Sequence, residues 1–269
     1  MEQYSFAYNT DGYSQAFKMF RKDWVSKYII VVPIVAIVVC VGLTFFFKYA
    51  NKVNAKTAVT SGKRTFVQEI LFAFHLMFHP FDGYWDLKHE KRGSFRGGLF
   101  YTGITVLVFT YQSVGRSYMY NPRGNYSSIM TQLFAVVVPL ALWVVANWCL
   151  TTLFEGEGSL KDIFIATSYS LTPLPLMIIP ATLLTHILAS SESGIITLLN
   201  SFGWVWVGLL LFFGIMVTHD YSILKNVLMC VGTIVGMAFI MFICILFATL
   251  VSDMVGLVRN IITEITYRM

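Results

Sequence analysis

The chain has 269 residues, of which 57% are hydrophobic and only 12% are charged, and its mean hydropathy is +0.68. A soluble domain carries about 25% charged residues, so this composition excludes a soluble protein and indicates an integral membrane protein. The net charge of +5 does not indicate nucleic-acid binding, because the basic residues collect in one loop beside apolar segments, where membrane topology accounts for them.

Residues 1–27 precede the first apolar run and form an N-terminal segment that we expect outside the cytoplasm. Aromatic residues recur between positions 4 and 17 around Asp11-Gly12, a pattern typical of a β-hairpin. A tyrosine-rich tail at the membrane interface explains the same aromatics equally well. Both structures stay open at this point.

Six apolar runs are long enough to cross a bilayer as helices. They cover residues 28–50, 98–118, 129–154, 163–188, 195–218 and 227–251. The first run lacks a small-residue cleavage site, so we predict a retained span rather than a signal peptide. The connections after residue 118 are short, and the helices that they join are therefore expected to be antiparallel neighbours in one bundle.

The loop of residues 51–96 sets the predicted orientation. Positions 48 to 96 hold nine basic residues: Lys48, Lys52, Lys56, Lys63, Arg64, Lys88, Lys91, Arg92 and Arg96. The positive-inside rule places this loop in the cytoplasm, and six spans then put the N-terminus outside. If residues 28–50 instead form a re-entrant hairpin bent at Pro33, five spans remain and the N-terminus is inside. We favour six spans, because Pro33 lies in the first turns of its helix, where a proline costs least.

An amphipathic helix is predicted over residues 65–79, ending before Pro80. Its apolar side chains recur at close to helical spacing: Phe66, Ile70, Phe74, Met77 and Phe78. We expect this helix to lie along the membrane surface, with basic residues before and after it on anionic headgroups. Those basic residues are Lys63, Arg64, Lys88, Lys91, Arg92 and Arg96.

His75 and His79 stand four residues apart on one face of this helix, a spacing that allows two histidines to share a metal ion. No glutamate of the zinc-protease pattern lies between them, and histidines beside phenylalanines are more often interfacial, so no metal site is predicted. The candidate interfacial residues are His75, His79, Asp82, Trp85 and Asp86.

The run at residues 163–188 carries Pro173, Pro175 and Pro180, which is unusual for a membrane-spanning helix. Each proline removes a backbone N–H and clashes with the carbonyl four residues earlier, and in hydrocarbon the freed groups need partners. Hydroxyl side chains between positions 167 and 172 are suited to satisfy them or to line a small polar pocket. This broken span is the predicted functional centre.

The turn of residues 155–162 leads into the broken span. Its acidic residues are Glu155, Glu157 and Asp162. This cluster is suited to bind a cation or a basic partner. A structural role is also predicted, in which Gly156 and Gly158 end one helix while Ser159 and Asp162 form the capping pattern of the next. The two roles are compatible.

Ionisable residues are nearly absent inside the predicted spans, which argues against an ion pump or a proton-coupled transporter. No nucleophile–base pair, glycine-rich phosphate loop or metal-ligand cluster stands out, so neither an enzyme nor a cofactor is predicted. In the last run, Gly232-x-x-x-Gly236 allows close helix approach and favours packing within the chain. Residues 253–269 are predicted to run off this span as an amphipathic helix, with a C-terminal tail at 258–269.

The segment from Asn147 to Pro173, NWCLTTLFEGEGSLKDIFIATSYSLTP, resembles the Yip1-domain family, whose middle helices pass through a Tyr-Ser-Leu-x-Pro type of segment. A second proline follows at Pro175. The upstream stretch of residues 78–93, FHPFDGYWDLKHEKRG, looks like the lead-in typical of bacterial members. The resemblance covers about residues 74–268.

This resemblance implies a five-helix membrane core with a cytoplasmic segment before it, and the five runs within residues 97–257 fit that order. Eukaryotic members act in vesicle budding with small prenylated GTPases, whereas the bacterial branch has no such partners. The chain departs from the eukaryotic pattern by its additional run at residues 28–50 and by lacking a long polar N-terminus. The trafficking function is therefore not carried over.

The sequence thus predicts an all-α polytopic membrane protein of the bacterial cell membrane, with a five-helix Yip1-like core and one N-terminal transmembrane helix. We expect a non-enzymatic scaffold or accessory subunit, whose partners are the lipid bilayer and other membrane proteins such as transporter subunits. The alternative is a small-solute or lipid transporter that uses the break between Pro173 and Pro180. The candidate partner or ligand surface consists of Glu155, Glu157, Asp162, Tyr169, Pro173 and Pro175.

Overall fold

A computed structural model describes residues 9–28, 31–59 and 64–268 of the chain. The regular secondary structure of these residues is helical throughout, which confirms the predicted all-α class. In chain order the helices are α1 (Thr10–Tyr28), α2 (Val31–Val59), α3 (Phe66–Phe78), α4 (Pro80–His89), α5 (Phe95–Val114), α6 (Ile129–Phe154), α7 (Leu160–Ser170), α8 (Pro173–Leu184), α9 (Ser193–His219) and α10 (Ile223–Arg268). A 3₁₀ turn, Ser190–Glu192, precedes α9.

Helix α1 overturns the β-hairpin expected around Asp11-Gly12, at least from residue 10 onward; residues 1–8 lie outside the described part. The side chain of Asn9 accepts a hydrogen bond from the N–H of Gly12 at 2.9 Å, as an N-cap does. Asp11 lies in the first turn, where the helix dipole favours a negative charge. The pattern around Asp11-Gly12 therefore starts a helix instead of turning a hairpin.

Within the described residues, four helical segments are long and apolar enough to cross a membrane: Ile129–Phe154, Leu160–Leu184, Ser190–His219 and Ile223–Glu264. They coincide with the last four predicted spans. The second of them consists of α7 and α8 together. Helix α5 has 20 residues and α2 has 29, which correspond to lengths of about 30 and 43 Å. Both reach the hydrocarbon thickness of a bilayer, and their crossing remains a prediction.

The bundle has two ends, and side-chain contacts show which segments meet at each. At one end, which we call the α4 end, Asn54 of α2 donates to the carbonyl of Leu71 at 3.1 Å, and Lys88 pairs with Glu157 at 2.7 Å. At the opposite end, the α1 end, Arg21 pairs with Glu192 at 2.6 Å. Helix α1 and the end of α2 therefore lie at opposite ends of the bundle.

Helix α3 packs into the bundle at the α4 end. The hydroxyl of Tyr101 donates to the carbonyl of Ile70 at 2.6 Å, and the hydroxyl of Tyr169 donates to the carbonyl of Glu69 at 3.1 Å. The buried face of α3 consists of Glu69, Leu71, Phe72, Ala73, Leu76 and Met77. The predicted helix is confirmed, but of its predicted apolar residues only Met77 belongs to this buried face, whereas Phe66 and Phe78 are 40% and 52% exposed. Its position along the membrane surface remains a prediction.

Several basic residues expected on lipid headgroups have protein partners instead. Arg92 is buried, pairs with Asp86 at 2.5 Å and donates to the carbonyl of Asn54 at 2.6 Å. Lys88 is held by Glu157. The prediction is wrong for these two side chains, whereas Arg96 keeps a largely exposed side chain. Lys63 lies outside the described residues.

The broken span divides between α7 and α8, and a hydroxyl group bonds to the carbonyl that Pro173 leaves free. Pro173 is the first residue of α8, where its missing N–H leaves no helical bond unmade. The carbonyl of Tyr169, four residues earlier, accepts from the hydroxyl of Thr172 at 2.6 Å. Ser170 and Thr182 bond to the carbonyls of Ala166 and Ile178, both at 2.8 Å, which are not the carbonyls freed by the prolines. The predicted role of the hydroxyls is confirmed for Thr172 at the break before Pro173.

Helix α10 is continuous over 46 residues, so the predicted helix running off the last span is confirmed. Gly232 and Gly236 of this helix lie against α6. A Cβ atom at Gly232 would lie 3.3 Å from Leu150, and one at Gly236 would lie 3.4 Å from Ala146. The spacing of these glycines therefore serves packing within the chain, as predicted.

Candidate functional site

A polar cleft of about 390 Å³ opens at the α4 end, between α4, the turn from α6 to α7 and the junction of α9 with α10. Its polar and aromatic lining consists of Phe81, Asp82, Trp85, Lys88, His89, Glu157, Asp220 and Tyr221. The cleft thus combines two surfaces that the sequence predicted separately: the segment around Asp82 and Trp85, and the acidic turn with Glu157.

Helix α4 supplies one wall because its lining residues recur three or four positions apart on one face. Pro80 begins this helix at a position where a missing N–H costs nothing. Trp85 is half exposed, and its ring stacks on that of His89 with centroids 4.7 Å apart. The Nδ1 atom of His89 lies 3.1 Å from the carbonyl oxygen of Trp85. The aromatic surface of this wall is therefore ordered and open to a ligand.

The acidic turn supplies a second wall, and its glycines act differently from the prediction. Helix α6 ends at Glu155, which itself adopts the left-handed conformation with φ of 51°. Gly156 and Gly158 are not among the residues with positive φ. A Cβ atom at Gly156 would overlap the hydroxyl of Tyr221, and one at Gly158 would lie 2.8 Å from the imidazole of His219. Glycine is therefore required at these two positions because Tyr221 and His219 pack against them, and not because the helix ends there.

The predicted capping of α7 by Ser159 is confirmed. The hydroxyl of Ser159 accepts from the N–H of Asp162 at 3.2 Å, and the carboxylate of Asp162 accepts from the N–H of Ser159 at 3.2 Å. Because its carboxylate also accepts from the hydroxyl of Ser159 at 2.5 Å, Asp162 is committed to the helix start. Glu155 and Glu157 are the members of the acidic cluster that remain exposed.

Lysines at the cleft pair with the two glutamates. Lys88 donates to Glu157 at 2.7 Å, and this hydrogen bond together with the charge of Lys88 lowers the pKa of the Glu157 carboxyl. Lys225 lies 3.8 Å from Glu155 and 5.0 Å above the ring of Tyr221. Glu157 is therefore ionised at neutral pH, and the turn is tied to α4 and α10 by charge.

The lining of the cleft has a surplus of negative charge. Three carboxylates line the cleft, those of Asp82, Glu157 and Asp220. Against them the described lining has one lysine, Lys88. Asp82 and Asp220 are exposed, and Asp220 ends α9 in the left-handed conformation with φ of 56°. This arrangement favours a cationic ligand or a basic segment of a partner.

Tyr221 forms the floor of the cleft and is only 6% exposed. Its ring stacks on that of His219 at 5.0 Å with an interplanar angle of 15°. Its hydroxyl is buried without a hydrogen-bond partner among the described residues, and burial raises the pKa of this phenol. The floor of the cleft is therefore an aromatic ring whose neutral hydroxyl is enclosed against the turn at Gly156.

A buried chain of hydrogen bonds leads from the turn into the bundle. The N–H of Gly158 donates to Nδ1 of His219 at 3.1 Å, so Nε2 carries the imidazole proton and donates to Asn147 at 2.9 Å. Asn147 donates to the hydroxyl of Thr233 at 3.2 Å, which donates to the carbonyl of Met229 at 2.8 Å. This chain fixes the neutral tautomer of His219 and joins the turn to α6, α9 and α10.

The sequence did not single out His219. It ends a long apolar helix, where a histidine is common, and its partner Asn147 is 72 residues away. The glycines of the turn are the local signal, because two glycines flanking an exposed glutamate suggest that another side chain packs closely there. The partner of that packing is visible only in the fold.

The remaining predicted residues lie outside the cleft. His75 and His79 stack on each other with centroids 4.9 Å apart, and burial lowers the pKa of His75. In the described part of the chain, no three His, Cys, Asp or Glu residues are grouped so that they could hold a metal ion. Asp86 is engaged by Arg92.

Three predicted surface residues belong to the broken span, and the structure places two of them inside the bundle. Tyr169 is fully buried and Pro173 is buried at the start of α8, whereas Pro175 is partly exposed. Tyr169 therefore supports the fold, and the exposed part of the predicted surface is the acidic turn.

Comparison with models of protein families matches residues 74–251 to the Yip1 domain, which is more than half of the chain. The match includes α4, the acidic turn, the broken span, α9 and the part of α10 up to residue 251, and thus every residue that lines the cleft. No curated protein matches the chain, and no solved structure does.

Proposed function

Since the chain belongs to the Yip1 domain family, we propose that this multi-pass membrane protein is a non-enzymatic accessory subunit that binds a second membrane protein through the polar cleft. The partner that fits the cleft is a basic cytoplasmic segment, such as a loop of a transporter subunit. The proposed location is the cell membrane of a bacterium. The observation that carries the proposal is the exposed aromatic and acidic cleft, whose acidic turn is bonded to Lys88 and His219.

The aromatic residues of the cleft supply the anchor. Trp85 and Phe81 are each about half exposed, at 50% and 51%, although they lie at the end of the bundle beside charged side chains. Tryptophan is among the residues that contribute most to protein interfaces when it is buried on binding. A partner that covers Trp85 therefore gains apolar contact at the centre of the cleft.

The acidic residues supply the charge complement. Asp82, Glu157 and Asp220 line the cleft together with the aromatic residues. The cytoplasmic loops of membrane proteins carry an excess of lysine and arginine. An acidic cleft on the cytoplasmic side is consequently complementary to the class of surface that neighbouring membrane proteins present there.

The proposed orientation puts the α4 end in the cytoplasm and the N-terminus outside, with α2 as the first of six spans. The basic loop between α2 and α5 favours the cytoplasmic side for the α4 end. The contact of Arg21 with Glu192 at the α1 end and that of Asn54 with Leu71 at the α4 end support a crossing by α2. A five-span arrangement would need α1 at the same end as Asn54.

Affinity purification in mild detergent tests the accessory role. We compare the wild type with Trp85→Ala and with the matched control Trp148→Ala, whose tryptophan is 48% exposed on α6, away from the cleft. A membrane protein recovered with the wild type and the control is expected to fall about tenfold or more with Trp85→Ala, since an anchor residue contributes about 2 kcal/mol or more. Because the contact is partly electrostatic, 1 M salt is expected to weaken it as well.

Zero-length carbodiimide cross-linking identifies the contact itself, because it joins a carboxylate to a lysine that touches it. The expected products link Asp82, Glu157 or Asp220 to a lysine in a cytoplasmic loop of the partner. A chain that remains a solitary monomer in every variant contradicts the accessory role. If Trp85→Ala and Trp148→Ala recover equal amounts of the partner, the cleft is not the surface that binds it.

A further inference from the structure

A second cavity, of about 190 Å³, lies within the membrane domain where α5, α6, α7, α9 and α10 meet. Leu171 and Leu174, on either side of the break between α7 and α8, form part of its wall. Ala135, Pro139 and Trp204 also line it and are exposed on the outside of the bundle. The cavity is therefore accessible from the hydrocarbon of the bilayer. We call it the membrane cavity.

Two residues of the membrane cavity carry buried polar atoms that lack partners. Neither Nε1 of Trp143 nor the hydroxyl of Thr167, a residue only 5% exposed, has a hydrogen-bond partner among the described residues. By contrast, the hydroxyl of Thr105 in the same wall donates to the carbonyl of Tyr101 at 2.8 Å. An unpaired donor in hydrocarbon is costly, so these two atoms are suited to bond a ligand.

Pro139 adds an acceptor to the same wall. This proline lies inside α6 and has no N–H, so the carbonyl of Ala135, four residues earlier, lacks its helical bond. Ala135 and Pro139 both line the membrane cavity. The residues of the wall thus include an indole donor, a hydroxyl and a carbonyl without partners among the described residues.

The chemistry of the wall excludes a charged ligand. No ionisable side chain is among the residues that line the membrane cavity. A carboxylate, a phosphate or an ammonium group would lose its hydration there without gaining an opposite charge. A neutral hydroxyl or carbonyl oxygen, in contrast, needs no opposite charge and is able to accept from an unpaired donor such as Nε1 of Trp143.

We propose that the membrane cavity binds the neutral end of a single-chain lipid, whose hydroxyl or carbonyl oxygen bonds Nε1 of Trp143 and the hydroxyl of Thr167. A volume of about 190 Å³ holds about six groups of the size of water or methylene, which suits a polar end and the first carbons of a chain. The rest of the chain leaves past Ala135 and Pro139 into the bilayer. This site does not depend on the partner contact at the cleft.

Photolabelling of the full chain in proteoliposomes tests the site. Three diazirine probes of equal length are compared: hexadecanol, hexadecane and palmitate. We expect hexadecanol to label peptides of the membrane cavity about fivefold more than hexadecane, from one or two hydrogen bonds gained. Palmitate is expected to label no more than hexadecane, because its carboxylate finds no opposite charge.

Three variants locate the label. Val136→Phe fills the membrane cavity and is expected to bring hexadecanol labelling down to background, whereas Val138→Phe, on the exposed face of α6, is the matched control and should leave it unchanged. Thr167→Val keeps the shape of the side chain, removes the hydroxyl and should lower hexadecanol labelling toward the level of hexadecane. If Val136→Phe fails to fold, Thr167→Val alone decides. Equal labelling by alcohol and alkane, or no effect of Thr167→Val, overturns the proposal.

Discussion

The broken span, Leu160–Leu184, and the last span, Ile223–Glu264, are both apolar enough to cross a bilayer, but they relate to the protein in opposite ways. In the most apolar stretch of the broken span, 61% of the residues are buried inside the bundle. In the most apolar stretch of the last span, no residue is buried. The more apolar of the two segments is thus the one that faces outward. In a bilayer, hydrocarbon outside the protein is as apolar as a leucine inside it, so apolarity alone does not draw a helix inward.

The broken span is held inside the bundle by contacts of small residues and of residues with hydroxyl groups. Ser168 accepts from the hydroxyl of Thr102 at 3.3 Å, and Ser170 lies 2.6 Å from the hydroxyl of Tyr84. Tyr169 fits over Gly97 of α5 and bonds to the carbonyl of Glu69. On α10, Phe239 and Phe247 are each more than 60% exposed. The interior of this bundle is therefore selected by close fit and hydrogen bonding.

The largest effect is expected from Gly97→Ala. A Cβ atom at this position would overlap the hydroxyl of Tyr169, whose ring is fully buried and cannot retreat without leaving the carbonyl of Glu69. We expect a loss of about 2–3 kcal/mol of stability, measured as a lower melting temperature in detergent.

Gly103→Ala is the matched control on the same helix, because a Cβ atom there would meet nothing within 4 Å. Its melting temperature should stay equal or rise slightly, since alanine favours the helix. The double variant Gly97→Ala/Tyr169→Phe is expected to recover part of the loss by removing the overlapping oxygen. Equal effects of the two alanines would show that α5 and the broken span are not packed this closely.

The sequence predicted the parts of this arrangement that local patterns encode. The capping of α7 needs only Ser159 and Asp162, three residues apart, and the repair of the proline break needs only hydroxyls one turn away, such as Thr172. These interactions close within one helical turn. They therefore leave a signature that can be recognised without knowledge of the fold.

Contacts between distant segments could not be predicted in this way. The spacing of apolar residues in α3 predicts a helix, but it does not identify which of its residues meet other helices. Phe66 and Phe78 of the predicted face are exposed, whereas Leu71, Phe72 and Leu76 are buried. Tyr169 was included in the candidate partner or ligand surface, whereas packing against Gly97 buries it. His219 and Asn147 meet only when α9 and α6 are side by side.

A smaller effect is expected where Arg21 of α1 contacts the segment between α8 and α9. Arg21 donates to both oxygens of Glu192, at 2.6 and 2.8 Å, and to the carbonyl of Ile187 at 3.0 Å. The hydrogen bonds from Arg21, and then the one from the N–H of Ala189, lower the pKa of Glu192 to about 2 from 4.5. Because the folded pKa is depressed, this stabilisation is complete above about pH 4.5 and is lost as the pH falls toward 2.

Hydrogen exchange in α1, corrected for the intrinsic pH dependence, measures this contact. Exchange should be unchanged between pH 7 and pH 5 and should rise at pH 2.5, by about fivefold at most, because a partly exposed ion pair contributes up to about 1 kcal/mol. Glu192→Gln should raise exchange at pH 7 as well. Glu155→Gln, at the other end of the bundle, should leave α1 unaffected. If hydrogen exchange in α1 changes neither at low pH nor with Glu192→Gln, the ion pair does not hold this helix.

The smallest effect is expected on the outward face of α10. Ile245 is 58% exposed, so Ile245→Ala removes methyl groups that face lipid or detergent and leaves no cavity behind. The melting temperature should correspond to a change within about 0.5 kcal/mol. Phe247, 68% exposed, provides a second position at which truncation to Leu should be equally mild. A large loss at either position would mean that α10 is covered by another protein surface, and its apolar length would then serve association rather than contact with lipid.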